Sequence, residues 1–275
     1  MKKSLALYTF CVYIGRHTQA DLIRCLNLLY KSLSNISCDY KLIAYSNFEI
    51  NHNLKNLEIR KYYDNSKIRI YHDIWLNLSF NKINIFKDLH DETGLNPIWI
   101  DLDTLVTGDI QYINEIDNCF IENGGNCETA NPLFNNDNNT TIPRKNYIQG
   151  NFWKLNNNLY QDVMQHTNHL LSNKMIPRYD LQDIFSHLFV YKNQKENKDI
   201  KILGNNYKKD TINGLTVWSK HGHSHATEEG LNNLYKKDNK LFSKFYPNKE
   251  IDILSFTFNT LKKVWNLDKF KEIIK

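Results

Sequence analysis

Two aspartates, Asp101 and Asp103, stand two residues apart directly after the short apolar run 97–100. Side chains alternate along an extended strand, so a strand continuing through this segment puts both carboxylates on one side. Two carboxylates about 4 Å apart repel by about 4 kcal/mol at an effective dielectric of 20, which favours a proton, a basic partner or a cation. Oxygen ligands alone suit Mg²⁺ or Mn²⁺ better than structural zinc. The spacing therefore predicts a divalent-metal site, with ordinary acidic turn residues as the alternative.

A second group of potential ligands is the histidine-rich segment 217–225, which contains His221, His223 and His225. In an extended chain all three side chains share a face, whereas in a helix only His221 and His225 do. Neutral imidazole binds zinc and also Mn²⁺. The segment is interpreted either as a source of a further metal ligand or as a polar surface loop.

Alternating strand and helix patterns must position these groups. Apolar runs predict strands over 5–14, 40–46, 57–62 and 97–101, while residues 73–89 and the segment from Thr18 onward have helical spacing. Thr18 and Asp21 form a capping-box pattern at a helix start. This order indicates an α/β sheet with helices on its faces, and ligands bind beyond the carboxyl ends of strands in such sheets. No Gly-x-Gly-x-x-Gly or P-loop motif occurs, which disfavours dinucleotide and P-loop functions.

The second half is less regular. Residues 122–149 are rich in Asn, Gly and Thr and are interpreted as a long loop, either a functional lid or disordered. Helices are predicted over 155–171 and 180–191, and a strand over 200–203. The basic amphipathic segment 259–275 predicts a terminal helix that lies on an anionic membrane or packs on its own domain. We therefore divide the chain into a main domain, 1–250, and a C-terminal basic helix, 251–275.

Composition excludes several classes of protein. The 275 residues are 41% hydrophobic, so the chain is not a disordered one, and no stretch approaches the ~20 apolar residues of a membrane span. The net charge of +5 is smaller than the clustered positive charge expected of a nucleic-acid-binding protein. Five scattered cysteines with no Cys-x-x-Cys indicate a reduced, cytoplasmic protein.

Segments 79–86 and 98–110 together resemble the nucleotide-sugar-dependent glycosyltransferases of the GT-A fold. The likeness is greatest to bacterial lipopolysaccharide or capsule transferases of the retaining, glycogenin-like sort. In that group a helix with a basic residue precedes a strand ending in Asp-x-Asp, then a hydrophobic stretch and Gly-Asp-Ile, as at 108–110. Looser similarities follow in the same order at 149–153, 179–185 and 202–207. The resemblance implies a GT-A (Rossmann-like) mixed sheet flanked by helices in one domain.

The resemblance also implies roles for individual residues in holding a donor. The segment Asp101-Leu102-Asp103 would hold Mn²⁺ or Mg²⁺ against the diphosphate of a UDP-sugar. A late histidine, His221 or His223, would complete the metal site, although the Gly-x-x-Lys-Pro-Trp sequence expected after it is absent. The remaining donor contacts fall on Lys82 near the phosphates or the first carboxylate, Thr9 and Phe10 near the base, and Gly150 and Asn151 near the sugar. Lys82 is otherwise interpreted as a solvated helix lysine.

Catalytic roles fall on Gln182 and Asp183. Asp183 would act as a base on the acceptor hydroxyl in an inverting enzyme, or lie under the sugar in a retaining one, and it is otherwise a first-turn helix carboxylate. The expected activity moves a hexose or related sugar from a nucleotide donor to a glycan or glycolipid acceptor in surface polysaccharide synthesis. A cytoplasmic location, with or without attachment to the inner face of the membrane, suits that activity. The alternatives are a sugar-phosphate nucleotidyltransferase and a non-catalytic carbohydrate-binding protein.

Overall fold

The computed structural model describes residues 4–63, 74–106, 108–122, 130–143, 146–192, 217–219, 253–255 and 261–262. Its centre is a mixed six-stranded sheet flanked by helices, so the predicted α/β class is confirmed. The strand order is β3-β2-β1-β4-β9-β6. The first four of these strands run parallel, β9 runs antiparallel to β4, and β6 runs antiparallel to β9. The bounds of these strands are β1 Leu5–Cys11, β2 Tyr40–Ser46, β3 Leu57–Lys61, β4 Ile98–Ile100, β6 Cys119–Glu122 and β9 Ile148–Lys154.

Four α-helices are described. The oxygen of Thr18 accepts the Asp21 N–H at the start of the first helix, as the capping pattern predicts. The last of them continues into a π-helical turn, Ser186–Tyr191, and two short 3₁₀ turns lie at Leu33–Asn35 and Gln111–Glu115. The bounds are α1 Gln19–Ser32, α2 Ile74–Thr93, α3 Asn157–Ser172 and α4 Leu181–Phe185. None of the helices described is long and apolar enough to cross a membrane.

Hydrophobic side chains cover both faces of the sheet, as parallel strands require. Along β1, Leu5 and Leu7 pack with α1 on one face, whereas Tyr8 and Phe10 pack on the other face with α2, α3 and α4. Because the pleat alternates in this way, one strand serves both halves of the core. The carboxyl ends of β1 to β4 form one edge of the sheet, which we call the carboxyl edge.

Two smaller sheets correct the sequence-based interpretation. The predicted loop 122–149 instead contains a hairpin, β7 Ala130–Phe134 and β8 Asp137–Pro143, followed by β9. A second sheet joins β5 Thr104–Val106 to β11 Ile253–Ser255, which pairs in turn with β10 Val217–Ser219. The predicted strand 200–203 lies outside the described residues.

The described part of the C-terminal range 251–275 is built into the main domain. Strand β11 pairs with β5, which directly follows the acidic turn. Leu261 is fully buried in the α1-side core, and the ammonium of Lys262 contacts the carboxylate of Asp21 on α1. Residues 261–262 are helical, so this range holds a strand and a helical stretch in contact with the sheet domain.

Candidate functional site

The acidic segment after β4 forms a tight turn. The Asp101 N–H donates to the carbonyl oxygen of Asn151 in β9 at 2.7 Å, and the Thr104 N–H donates back to the Asp101 carbonyl at 3.0 Å. Strand β4 ends at Ile100, so the strand alternation expected to align the two carboxylates does not extend to Asp103. Asp101 and Asp103 therefore belong to a turn at the carboxyl edge and not to one face of a strand.

Asp101 is held by a cation and an indole. Its Oδ1 accepts from Lys82 Nζ at 3.1 Å and from Trp99 Nε1 at 2.8 Å. Lys82 Nζ also lies 4.5 Å from the centre of the Trp99 ring, a cation–π distance. The Lys82 side chain is buried, and its carbonyl accepts the Tyr8 hydroxyl. Lys82 therefore lies beside the first carboxylate, as one of the two predictions for it stated, and is not a solvated helix lysine.

Asp103 is half-buried at the end of the same turn. Burial raises the pKa of its carboxyl well above the usual value, and the negative charge of Asp101 raises that pKa further. Burial also raises the pKa of the Cys25 thiol on α1, with Asp103 adding to the effect. The charge of Asp103 thus interacts with the Asp101 carboxylate and with the Cys25 thiol on α1.

The sequence did not single out Asp180 as a site residue, but the structure places it against Gly150 in β9. A Cβ added to Gly150 in β9 would lie 3.5 Å from Asp180 Oδ1 and 3.6 Å from the Cβ of Gln182. Burial raises the pKa of Asp180, the positive charge of Lys82 opposes that shift, and Asp101 adds to it. The carboxylate of Asp180 is therefore next to Gly150 and within electrostatic range of the acidic turn.

Asp183 has a different environment. Its side chain is fully buried, one oxygen accepts the Tyr147 hydroxyl, and the other accepts the backbone N–H groups of Tyr179 and Asp180. Together with Asp180 it forms a capping box at the start of α4. Burial raises its pKa to about 7, although the backbone N–H groups oppose the shift. These contacts hold the chain that carries Asp180.

The other predicted site residues are mostly buried in the sheet. Thr9 is fully buried in β1, with no hydrogen-bond partner for its Oγ1, and Phe10 packs edge-to-face on Trp99. Leu102 packs in the α1-side core, and Asn151 contributes its carbonyl to the Asp101 N–H. Gln182 lies beside Gly150 and is half-buried. His221 and His223 lie outside the described residues.

The described residues supply two carboxylates for the metal that the resemblance implies. Within those residues, no group of three or more His, Cys, Asp or Glu side chains is arranged to hold an ion. Both of these contacts to Asp101 are made to Oδ1, and the charge of Asp101 acts on the Asp103 carboxyl. Paired carboxylate oxygens suit Mg²⁺ or Mn²⁺, so the residues present fit the group.

Sequence comparisons identify no relative. The family models contain no match to the chain, and the curated proteins contain none either. The acidic turn and the residues around it are therefore the features that indicate a function.

Proposed function

We propose that the protein is a metal-dependent glycosyltransferase of the GT-A fold. It would move a sugar, with a hexose expected, from a UDP-sugar to a glycan or glycolipid acceptor in surface polysaccharide synthesis. The single observation that carries this proposal is the acidic turn at the carboxyl end of β4, with Lys82 against its first carboxylate. A basic helix residue meeting the first acid of Asp-x-Asp agrees with the resemblance stated above.

The charges at the site also support the proposal. The ammonium of Lys82 pairs with Asp101, and its charge also acts on the carboxyls of Asp103 and Asp180. With all four ionised, the group carries a net charge of −3 + 1 = −2. A divalent cation would offset this charge, so that the diphosphate of a nucleotide sugar would meet the cation and Lys82 rather than uncompensated carboxylates.

The resident residues have separate tasks in this proposal. Asp101 and Asp103 would hold the cation, which would supply Lewis-acid neutralisation of the departing diphosphate. Lys82 orients Asp101 and lowers the electrostatic cost of ionising Asp180. Gly150 has no side chain, so the carboxylate of Asp180 and the Cβ of Gln182 can pack closely on the β9 backbone beside it.

Asp180 is the carboxylate that would contact the donor sugar or the acceptor hydroxyl. Asp183 cannot approach a substrate without giving up its contacts to Tyr147 and the backbone, so its role here is to fix the position of Asp180. Catalysis would come chiefly from orientation and from fixed charges. The resemblance favours retention of anomeric configuration.

The test is calorimetric titration of UDP with and without Mn²⁺, using wild type, Asp103→Ala and the control Asp162→Ala. Asp162 is an exposed carboxylate on α3. We expect UDP binding to require Mn²⁺, and Asp103→Ala to weaken it by about tenfold or more. The Asp162→Ala variant should bind UDP as wild type does.

Equal binding of UDP by wild type and Asp103→Ala would show that the metal assignment is wrong. If binding behaves as expected, hydrolysis of a panel of nucleotide sugars identifies the donor. Release of UDP from a sugar nucleotide supports a transferase. Formation of pyrophosphate from UTP and a sugar 1-phosphate would instead identify a nucleotidyltransferase.

A further inference from the structure

The loop between α3 and α4 exposes cations and apolar groups together. Residues 174–179, which we call the cationic loop, contain exposed Lys174 and Arg178 as well as Ile176 and Tyr179, which are 37% and 46% exposed. Among the residues described, only four large apolar side chains are exposed to this degree, and two of them lie in this loop. Apolar side chains that are grouped with cations on one surface, rather than scattered singly, are typical of interaction sites.

The cationic loop is held in one conformation by the β7–β8 hairpin. The Ile176 N–H donates to Asn136 Oδ1 at 3.3 Å, and the Ile176 carbonyl accepts the Asn135 N–H at 2.9 Å. The Arg178 N–H donates to the carbonyl of Leu133 at 3.1 Å. Lys174 has a φ of 58°, in the left-handed region that costs about 1 kcal/mol for a residue with a Cβ. The exposed groups are therefore preorganised for a partner.

The cationic loop also borders the candidate site. Tyr179 is adjacent in sequence to Asp180, whose carboxylate contacts the Gly150 position. The other two exposed apolar side chains, Tyr13 and Tyr63, follow β1 and β3 at the carboxyl edge. The Arg178 guanidinium lies 5.6 Å from the Tyr179 ring centre, and Lys61 Nζ lies 5.5 Å from that of Tyr63.

We propose that the cationic loop is a docking surface for an anionic lipid bilayer. Lys and Arg near such a surface are attracted to acidic headgroups, and Tyr and Ile are stabilised at the headgroup–acyl boundary. Charge complementarity and exposed aliphatic surface occur together in Ile176 and its two cationic neighbours, Lys174 and Arg178. A soluble acidic saccharide would use the cations but gains little from Ile176. Docking here would bring Asp180 close to a lipid-linked acceptor, and that last step rests on the proposed function.

The experiment is sedimentation of the full chain with vesicles, either of phosphatidylglycerol and phosphatidylcholine in equal parts or of phosphatidylcholine alone. The loop variant carries both Lys174→Gln and Arg178→Gln. The matched control is Lys31→Gln with Lys55→Gln, which removes two exposed cations from the opposite edge of the sheet, beside the end of α1 and the start of β3. Ile176→Ser tests the apolar contribution, and thermal unfolding verifies that each variant is folded.

Wild type should bind the anionic vesicles and not the neutral ones. Losing the two loop cations should weaken that binding about 30-fold, or about fivefold for each cation, whereas the control pair should change it less than about twofold. Ile176→Ser should weaken binding further. Equal binding by wild type and the loop variant overturns the proposal, including the case in which residues 263–275 carry the binding. Absence of binding by wild type also overturns it.

The outcome is independent of the proposed function, because vesicle binding needs neither a donor nor a metal. UDP titration on the same variants separates the two ideas. If both proposals are correct, the loop variant should lose vesicle binding and keep UDP binding. Wild type that binds anionic vesicles but no UDP leaves the docking surface standing and removes the transferase.

Discussion

Replacing Asp183 by Asn should remove a large pH dependence from the stability of the protein. Asp183 is fully buried, and burial raises its pKa from 3.8 to about 7. At pH values between these two, the folded protein binds a proton at this site that the unfolded chain has lost. The free energy of unfolding must therefore fall as the pH rises through that window, and it levels off above about 7.

The size of the effect follows from the shift. The difference between about 7 and 3.8 is about 3 pKa units, which corresponds to roughly 4 kcal/mol. Asparagine does not titrate, but its single amide oxygen can replace only one of the two acceptor oxygens that bind the Tyr147 hydroxyl and the backbone N–H groups, which adds a loss that does not vary with pH. The free energy of unfolding of Asp183→Asn minus that of wild type should therefore rise by up to roughly 4 kcal/mol between about pH 4 and about pH 8.

Urea unfolding of wild type, Asp183→Asn and the control Asp162→Asn over that pH range measures this difference. Comparing variants at each pH cancels the titration of all other groups, since these are common to the proteins. Asp162 is exposed on α3, so Asp162→Asn should follow wild type within about 0.5 kcal/mol at every pH. If Asp183→Asn also tracks wild type at constant offset, Asp183 titrates normally and its burial does not govern its ionisation.

Two further changes test the structure around the site. Lys82→Met should lower the free energy of unfolding by about 3 kcal/mol, because it leaves the partly buried Asp101 carboxylate without its cation. A double-mutant cycle of Lys82→Met with Asp101→Asn, measured by urea unfolding, should show a coupling energy above about 1 kcal/mol. Additive effects of these two substitutions would contradict the ion pair. Leu261→Ala should cost about 3 kcal/mol in the same assay because it opens a cavity in the α1-side core, and a cost near zero would mean that the C-terminal range is not part of that core.

The elements that the sequence predicted best have local signals. Thr18 caps α1 and the strand at 40–46 has the predicted bounds, because a cap and an apolar run each act within a few residues. The helix predicted over 73–89 is observed as Ile74–Thr93. Strand β9, Ile148–Lys154, has no such local signal. It includes Gly and Asn, and it is buried on both faces, so apolar and polar residues do not alternate along it.

The Asn-rich hairpin could not be found from local propensity. Asn135 and Asn136 make its turn, but both bond to the loop between α3 and α4, about 40 residues away in sequence. Those tertiary contacts, not β-propensity, hold β7 and β8 in place. The same reason applies to Asp180, since its neighbours Gly150 and Lys82 are distant in sequence and its local pattern is that of a helix cap.

The strand order explains why these distant residues meet. Strand β4 lies between β1 and β9, so the turn at Asp101 is bonded to β9 on one side, and α2 packs on the same face of the sheet as Trp99. Lys82 therefore reaches the first carboxylate from α2, while Gly150 leaves room for Asp180 from the start of α4. The topology thus combines Lys82 from α2, the two aspartates of the turn after β4, and Asp180 from the start of α4. Because burial and mutual repulsion both oppose ionisation there, these carboxyls favour either a bound proton or the divalent ion that the proposed function calls for.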